Sequence, residues 1–409
     1  MIKKVCIIIA IILAFMLGRV IIISCIKIAV DNEESTAVQV DKKYNKEIKS
    51  RLKKMTIDEK IGQLIIAGFD GITVNDELQS LILEKYIGGV ILFSKNVESA
   101  SQVVALNNEI KEINKVNKSP IFISVDEEGG LVSRMPSEFK DIPTNSDIAK
   151  YDDEDLSYNI GKVIGEEISS LGFNMDFAPV LDINSNPDNP VIGNRSFGDN
   201  EAIVSKLGIA TMKGLKDSNI IATVKHFPGH GDTSVDSHVG LPVVENDLER
   251  LKSFELVPFQ KAIDEGVDMV MVSHIMLPKI DENDPATLSK TIVTDILRKD
   301  MNYNGVVVTD DMTMGAIINN YDIGEAAVKS INAGVDIVMV CHQYENVTKV
   351  IDAIKEAVNN GSITEERIDK SVERILKLKD KYNIKDEETA MTNVEDINDE
   401  ISSILEKMK

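Results

Sequence analysis

Short apolar runs recur along the chain, and each is followed by a polar turn and then by a stretch with helical periodicity. Their apolar residues are nearly continuous rather than alternating, which is typical of parallel strands buried on both faces. Eight such runs over more than 300 residues predict an α/β fold with a single (β/α)8 TIM-type barrel. An open doubly wound sheet, usually of about six strands, is the alternative. The runs are Gln63–Phe69, Gly89–Phe93, Ile121–Val125, Asn174–Leu181, Ile220–Val224, Asp268–Val272, Gly305–Val308 and Asp336–Val340.

Two sequence signatures mark helix starts around this pattern. Thr56-Ile57-Asp58-Glu59 fits a capping box and starts a helix ahead of the first run. Ser362-Ile363-Thr364-Glu365 fits a second capping box, after Asn359-Asn360-Gly361 has ended the preceding helix. Both agree with helices that alternate with strands.

The N-terminus has the pattern of an export signal. Lys3 and Lys4 precede a wholly apolar stretch over residues 5–17, and a second apolar run covers residues 20–24. A basic start followed by an apolar stretch predicts a signal or anchor segment, here residues 1–30, with its basic end inside the cell. We therefore expect a membrane-attached, extracytoplasmic protein. Because Ile22-Ile23-Ser24-Cys25 resembles a bacterial lipobox, the attachment is either a lipid on Cys25 or a single uncleaved anchor.

The remaining segments complete the predicted domain organisation. Residues 31–50 are polar and charged without an apolar period, which predicts a linker. The barrel is expected to occupy residues 51–383. Residues 384–409 are mostly Asp, Glu, Lys, Asn and Ser, which predicts a charged C-terminal tail, either a weak terminal helix or a frayed end.

Composition narrows the class of protein. Hydrophobic residues make up 43% and charged residues 27% of the chain, which is enough for a large core and a hydrophilic surface. The net charge of −22, with no Lys/Arg cluster, excludes nucleic acid as a partner. Of three cysteines, only Cys341 lies in the predicted body, so the body can form no internal disulfide.

Residues that carry chemistry are concentrated at the C-terminal ends of the predicted strands, where a TIM barrel builds its active site. All five histidines of the chain lie at three of these ends. The polar residues there are Asp126–Gly130 and Arg134 after run 3, Asp182 and Arg195 after run 4, Lys225–Thr233 and Asp236–His238 after run 5, Ser273–His274 after run 6, Thr309–Asp311 after run 7, and Cys341–His342 after run 8.

Two of these groups suit the hydrolysis of a glycoside. Asp310 stands at the rim of a stiff apolar strand, a suitable place for a nucleophile or for a stabiliser of an oxocarbenium-like transition state. Asp311 is the alternative, because alternation along a strand does not show which side chain points into the barrel. In Asp236-Ser237-His238, the carboxylate can hold one ring nitrogen while the other transfers a proton.

The neighbouring residues suit a sugar better than a metal. Side chains that can hydrogen-bond vicinal hydroxyls in pairs are Asp126, Arg134, Arg195, Lys225 and His226. A zinc site is the alternative, with candidate ligands His226, His230, Asp236 and His238. Pro228 and Gly229 argue against it, because they prevent the helix that would place His226 and His230 on one face.

The longest polar segment identifies a family. Residues 225–233 (KHFPGHGDT), followed by Asp236-Ser237-His238, resemble the signature of the β-N-acetylglucosaminidase branch of glycoside hydrolase family 3. Residues 126–130 with Arg134, residues 194–197 and residues 309–312 agree with the same family and occur in its order. The resemblance covers roughly residues 53–383.

This resemblance implies a retaining double displacement, with Asp310 as nucleophile, His238 as general acid/base and Asp236 as the partner of His238. It implies sugar contacts by Asp126, Arg134, Arg195, Lys225, His226 and His274. It implies no metal and no organic cofactor. Relatives act on N-acetylglucosamine joined β-1,4 to N-acetylmuramic acid, so the expected partner is such a glycan or a muropeptide. A glycoside phosphorylase and an inactive sugar-binding lipoprotein remain alternatives, as does a zinc-dependent hydrolase.

Overall fold

The computed structural model describes residues 44–390 and 393–408, and the predicted segment 1–30 lies outside them. In the described residues, eight parallel strands close into a barrel in chain order, with β8 pairing β1. Every strand overlaps one of the predicted runs, so the prediction of a (β/α)8 barrel is confirmed. The strands are β1 (Ile65–Gly68), β2 (Gly89–Ile91), β3 (Phe122–Val125), β4 (Met175–Asp176), β5 (Ile221–Phe227), β6 (Met269–Val272), β7 (Val306–Asp311) and β8 (Ile337–Val340).

Helices alternate with the strands from residue 55 onward, and one further helix precedes them in the chain. In the described part of the chain they are α1 (residues 44–54), α2 (Ile57–Gln63), α3 (Asp76–Leu83), α4 (Ala100–Asn114), α5 (Asn145–Ala149), α6 (Glu154–Ser170), α7 (Glu201–Asp217), α8 (Leu248–Ser253), α9 (Val257–Asp264), a π-type helix (Thr291–Asp300), α10 (Gly315–Ile318), α11 (Ile323–Ala333), α12 (Tyr344–Asn359), α13 (Glu365–Lys381) and α14 (Val394–Leu405). Within this part of the chain, none of the helices combines the length and the apolar character that a bilayer crossing requires.

One of the two predicted capping boxes is displaced. Thr56 caps α2 as predicted, because its hydroxyl accepts the Glu59 N–H at 3.2 Å and the Glu59 carboxylate accepts the Thr56 N–H at 2.7 Å. The helix α13 instead begins after Thr364, two residues beyond Ser362. Ile363 and Ile368, both buried, then occupy the two positions of a hydrophobic staple. Burial of this pair therefore decides the start of α13.

The linker prediction changes in the described residues, whereas at the C-terminus one of the two predicted alternatives, a terminal helix, is found. Residues 44–50 are helical where a linker was predicted, and Ile48 and Leu52, four residues apart, give α1 an apolar face within a charged segment. At the other end, α14 packs on α6 through Ile397, Ile401 and Ile404. The segment after residue 383 is thus a terminal helix joined to the barrel rather than a frayed tail.

Three strands differ from the predicted runs near the mouth of the barrel. The strand β4 is shorter than its run, which extended to Leu181. The strand β5 continues beyond its run, with a register shift against β6 between Val224 and Phe227. The strand β7 continues to Asp311, with a shift against β8 after Val308. A regular strand points neighbouring side chains to opposite faces, whereas a bulge re-aims them. Two consecutive pairs can therefore face the mouth, Lys225 with His226 and Asp310 with Asp311.

Replacing the buried Ile401 with alanine should lower the free energy of unfolding by about 2 kcal/mol, because the lost methyl groups leave a cavity under α14. Urea denaturation followed by circular dichroism measures this change. Ser403→Ala, on the exposed side of the same helix, is the matched control and should have little effect. Equal losses for the two variants would show that α14 is not part of the cooperative fold.

Candidate active site

A cavity of about 200 Å³ opens at the C-terminal ends of the strands. Asp236 lies behind one of its lining residues, His238, and His274 is not part of the lining. The structure thus gathers seven of the nine predicted site residues around one space: Asp126, Arg134, Arg195, Lys225, His226, His238 and Asp310.

Lys225 is a buried cation held between two carboxylates. Its ammonium lies 2.7 Å from Asp126 Oδ1 and 2.6 Å from Glu128 Oε1, and its side chain is 2% exposed. Burial alone would lower the pKa of Lys225, but the two carboxylates outweigh burial and raise it. The lysine is therefore a fixed positive charge on the wall of the cavity.

Glu128 joins this lysine to Arg195. The guanidinium of Arg195 donates from Nε and Nη2 to the two oxygens of Glu128, at 2.8 and 2.7 Å. Burial would raise the pKa of Glu128, yet Arg195 and Lys225 hold it well below its usual range. The predictions from sequence left Glu128 without a role, although its place beside Asp126 was a signal. It aligns the two cations that face the cavity.

Asp182, at the end of the fourth predicted run, holds two histidines. Its carboxylate lies 2.6 Å from His226 Nδ1 and accepts the backbone N–H of His230 at 2.6 Å. Burial would raise the pKa of Asp182, but His226 and His230 lower it, so the group is an anion without access to water. With Nδ1 engaged, His226 turns Nε2 toward Arg195, 3.5 Å from Nη2.

Asp310 and Asp311 both line the cavity but differ in their hydrogen bonds. The Asp311 carboxylate accepts the backbone N–H groups of Thr313 and Cys341, each at 2.9 Å, and the Thr313 hydroxyl. Among the described residues, the Asp310 carboxylate accepts one hydrogen bond, from the Asp311 N–H at 2.8 Å. Asp311 is therefore committed to the turn after β7, whereas Asp310 keeps acceptor capacity for a ligand.

The pKa of Asp310 is lowered although the group is half-buried. Burial raises it, but the electrostatic interactions with His226 and His274 and the hydrogen bond from the Asp311 N–H outweigh that effect. Asp310 is therefore ionised at neutral pH. An ionised carboxylate next to an enclosed space can act as a nucleophile.

Asp236 and His238 form a hydrogen-bonded pair. Asp236 Oδ1 lies 2.8 Å from His238 Nδ1 and accepts the His238 backbone N–H at 2.9 Å. Burial would raise the pKa of Asp236, but these two contacts lower it. Because Nδ1 is engaged, the second ring nitrogen of His238, Nε2, is the one that can exchange a proton. The His238 side chain is 65% exposed, whereas Asp310 is half-buried.

His274 supports the cavity from below rather than lining it. The side chain is fully buried, with Nδ1 2.8 Å from the Thr287 hydroxyl and Nε2 3.0 Å from the Asp311 carbonyl oxygen. Both ring nitrogens are thus occupied by protein groups. The structure therefore places His274 behind the cavity wall, with its ring directed at the backbone of β7.

Sequence reasoning also left several cavity residues without a role. Phe93 and His342 stack with ring centroids 5.6 Å apart and form one side of the mouth. Both could have been found, since they follow β2 and β8 directly. In residues 44–390 and 393–408, no group of three or more His, Cys, Asp or Glu side chains is arranged to hold a metal ion.

Three buried carboxyl groups lie behind the loop that follows β3. The Glu127 N–H donates to Asp176 Oδ1 at 2.9 Å, and Glu167 on α6 interacts electrostatically with both. One oxygen of Glu167 and one of Asp176 have no hydrogen-bond partner among the described residues. Burial is the main cause that raises the pKa of all three groups, in Glu127 to about 7. These three groups therefore keep their protons at pH values at which an exposed carboxyl group is already ionised.

Glu167→Gln should make the protein more stable at pH 8, by on the order of 1 kcal/mol. The folded chain keeps a proton on Glu167 that the unfolded chain releases near pH 4.5, so wild-type stability falls as pH rises above that value. Glutamine removes this loss, and the gain should shrink toward pH 4.5. Thermal unfolding at several pH values measures it. Glu166→Gln, a half-exposed neighbour paired with Lys162, is the control and should give no such gain.

Known proteins of the same fold carry related names. A β-N-acetylglucosaminidase of glycoside hydrolase family 3 from Paenibacillus sp. strain FPU-7 is 42% identical, with a TM-score of 0.83 over 87% of this chain and 69% of that chain. Beta-hexosaminidase A of Pseudoalteromonas piscicida is 37% identical over 333 residues, 76% of this chain. A beta-hexosaminidase of Methylobacillus flagellatus is 35% identical over 283 residues, 68% of this chain and 80% of its own length.

The chain spans only 56% of the length of the Pseudoalteromonas protein. The family model described as the glycosyl hydrolase family 3 N-terminal domain matches residues 56–378. That range contains all eight strands and every residue that lines the cavity. The chain therefore belongs to glycosyl hydrolase family 3.

Proposed function

We propose that this protein is a retaining exo-β-N-acetylglucosaminidase that removes terminal N-acetylglucosamine from β-1,4-linked peptidoglycan fragments. The observation that carries the proposal is the pairing of two groups around one cavity. Asp310 is an ionised carboxylate with unused acceptor capacity, and His238 is an imidazole whose Nδ1 is bound by Asp236. The names of the relatives, β-N-acetylglucosaminidase and beta-hexosaminidase, support the choice of sugar.

In the first step, an Asp310 oxygen bonds to the anomeric carbon as the bond from that carbon to the leaving oxygen breaks. The imidazolium of His238 gives its Nε2 proton to the leaving oxygen, while Asp236 holds the ring in place through Nδ1. In the second step, His238 takes a proton from water, and the resulting oxygen attacks the anomeric carbon. Asp310 leaves as a carboxylate, and the configuration is retained.

The polar wall supports binding of a single terminal sugar. Lys225 pairs with Asp126 and with Glu128, and Glu128 also binds Arg195. The donors and acceptors of this wall are therefore held in place before a ligand arrives. Paired donors and acceptors of this kind suit vicinal hydroxyls. A cavity of about 200 Å³ accommodates one sugar unit better than a chain, which favours removal of a terminal residue.

The central experiment measures N-acetylglucosamine release from a p-nitrophenyl glycoside and from muropeptides. Hydrolysis of both should be equally fast with and without inorganic phosphate, and Asp310→Ala should lower turnover by more than about 1,000-fold while thermal unfolding is unchanged. Asp311→Ala is not a suitable control, because Asp311 holds the turn. A rate that depends on phosphate, with a sugar phosphate as product, would identify a phosphorylase. Near-normal activity of Asp310→Ala would exclude this nucleophile.

We further infer that the protein acts outside the membrane, attached through its N-terminal segment. The basic and apolar leader supports this location, and the expected substrates are then cell-wall fragments outside the cell. Wild-type protein should sediment with membranes, whereas a variant that lacks residues 1–30 should be soluble and active, because the barrel begins at the Thr56 capping box. Fatty-acid labelling that Cys25→Ser abolishes would identify a lipoprotein. A soluble wild-type protein would contradict the proposal.

A further inference from the structure

The position of His238 is set by its backbone rather than by packing of its ring. The dyad segment, residues 236–239, runs over the mouth of the cavity, and the His238 side chain is 65% exposed. An exposed ring has few neighbours to hold it. A proton donor nevertheless has to lie within hydrogen-bond reach of the leaving oxygen, so other contacts of this segment must fix its place.

The first contact is made by Ser237, a buried residue that also lines the cavity. Its side chain is 2% exposed, and its hydroxyl lies 3.1 Å from His230 Nε2. The other ring nitrogen of His230 lies 2.9 Å from the Thr233 hydroxyl, and the His230 N–H donates to Asp182. His230 is therefore tied to the same carboxylate that orients His226 on the cavity wall.

His230 is suited to this contact because it stays neutral. Burial and the neighbouring His226 lower the pKa of His230 to about 4. A neutral imidazole offers one donor and one acceptor, and both nitrogens here face a hydroxyl group. The ring is enclosed and takes no proton at neutral pH, so it is not a second acid.

The second contact joins the dyad segment to the turn after β7. The Ala316 N–H donates to the Ser237 carbonyl oxygen at 3.0 Å, and the Gly315 N–H donates to the His238 carbonyl oxygen at 3.2 Å. A Cβ atom on Gly315 would lie 2.6 Å from the His238 oxygen and 2.9 Å from the Val239 oxygen. Only glycine therefore permits this approach.

We propose that His230 and Gly315 are positioning residues that hold His238 at a fixed place relative to Asp310, one through the Ser237 hydroxyl and the other through the backbone. Asp310 lies at the end of β7 and Gly315, five residues later, at the start of α10. The contact of Gly315 with the dyad segment thus sets the position of His238 relative to Asp310. The inference rests on the proposed function of this site. A substitution that weakens either contact should displace His238 without disturbing the polar wall formed by Asp126, Lys225 and Arg195.

The test compares β-N-acetylglucosaminides with good and poor leaving groups, a dinitrophenol and a second sugar. We use kcat/KM, because it reports the chemistry up to the glycosyl-enzyme, where an activated phenol needs little protonation. Gly315→Ala should lower kcat/KM for the sugar leaving group by at least about 10-fold and for the dinitrophenol by less than about 3-fold. Ser237→Ala should show the same selectivity with a loss of about 3- to 10-fold for the sugar.

Two control variants carry the same types of substitution, glycine to alanine and serine to alanine, at nearby positions outside the two contacts. A Cβ on Gly240 would meet only a Val235 methyl group at 3.6 Å, and Ser234 is exposed, so Gly240→Ala and Ser234→Ala should keep both rates. Thermal unfolding shows that each variant is folded. Equal losses for both leaving groups, or no loss, would overturn the inference.

Failure of the proposed function gives a different result, since wild-type protein would then hydrolyse neither substrate. Amide hydrogen exchange of the dyad segment decides the inference independently of turnover. Exchange of residues 236–239 should be faster in Gly315→Ala than in wild type, and unchanged in Gly240→Ala. Equal exchange in all three proteins would show that Gly315 does not hold the segment.

Discussion

A carboxylate without access to water has to be satisfied by protein donors, and Asp182 shows how much of the site depends on that constraint. It stays ionised through contacts with the ring of His226 and with the backbone of His230. The first histidine lines the cavity, and the second contacts Ser237, the neighbour of the proposed proton donor His238. One buried charge between β4 and β5 thus orients two parts of the site that have different tasks.

The same principle governs the other buried charges. Glu128 pairs with both Arg195 and Lys225, and Lys225 pairs in addition with Asp126, so that these largely buried charges are satisfied within the protein. Removing one member of such a network leaves the remaining charges unpaired in a poorly polarisable interior, which costs far more than an exposed ion pair. The network therefore behaves as a single unit, and its geometry is set before any ligand binds.

The sequence predicted the barrel well because burial of a parallel strand on both faces leaves a continuous apolar run. It did not predict where β5 and β7 end, because Lys225 and Asp310 are enclosed by ion pairs and turns rather than by apolar character. Strand ends also brought His274 into the predicted site, but the direction of a side chain depends on register, and this ring faces the backbone. Contacts between distant loops, such as that of Gly315, leave no local pattern at all.

The outer side of the dyad segment has a further consequence. Val239 is 73% and Val235 42% exposed, so the closed arrangement shields little apolar surface there. Its attachments include the Ser237 hydroxyl, two backbone N–H groups and the side-chain amide of Asn319, all of which water can replace at small net cost. A segment held in this way can detach without breaking a hydrophobic core. Its movement would therefore place little demand on the global stability of the barrel.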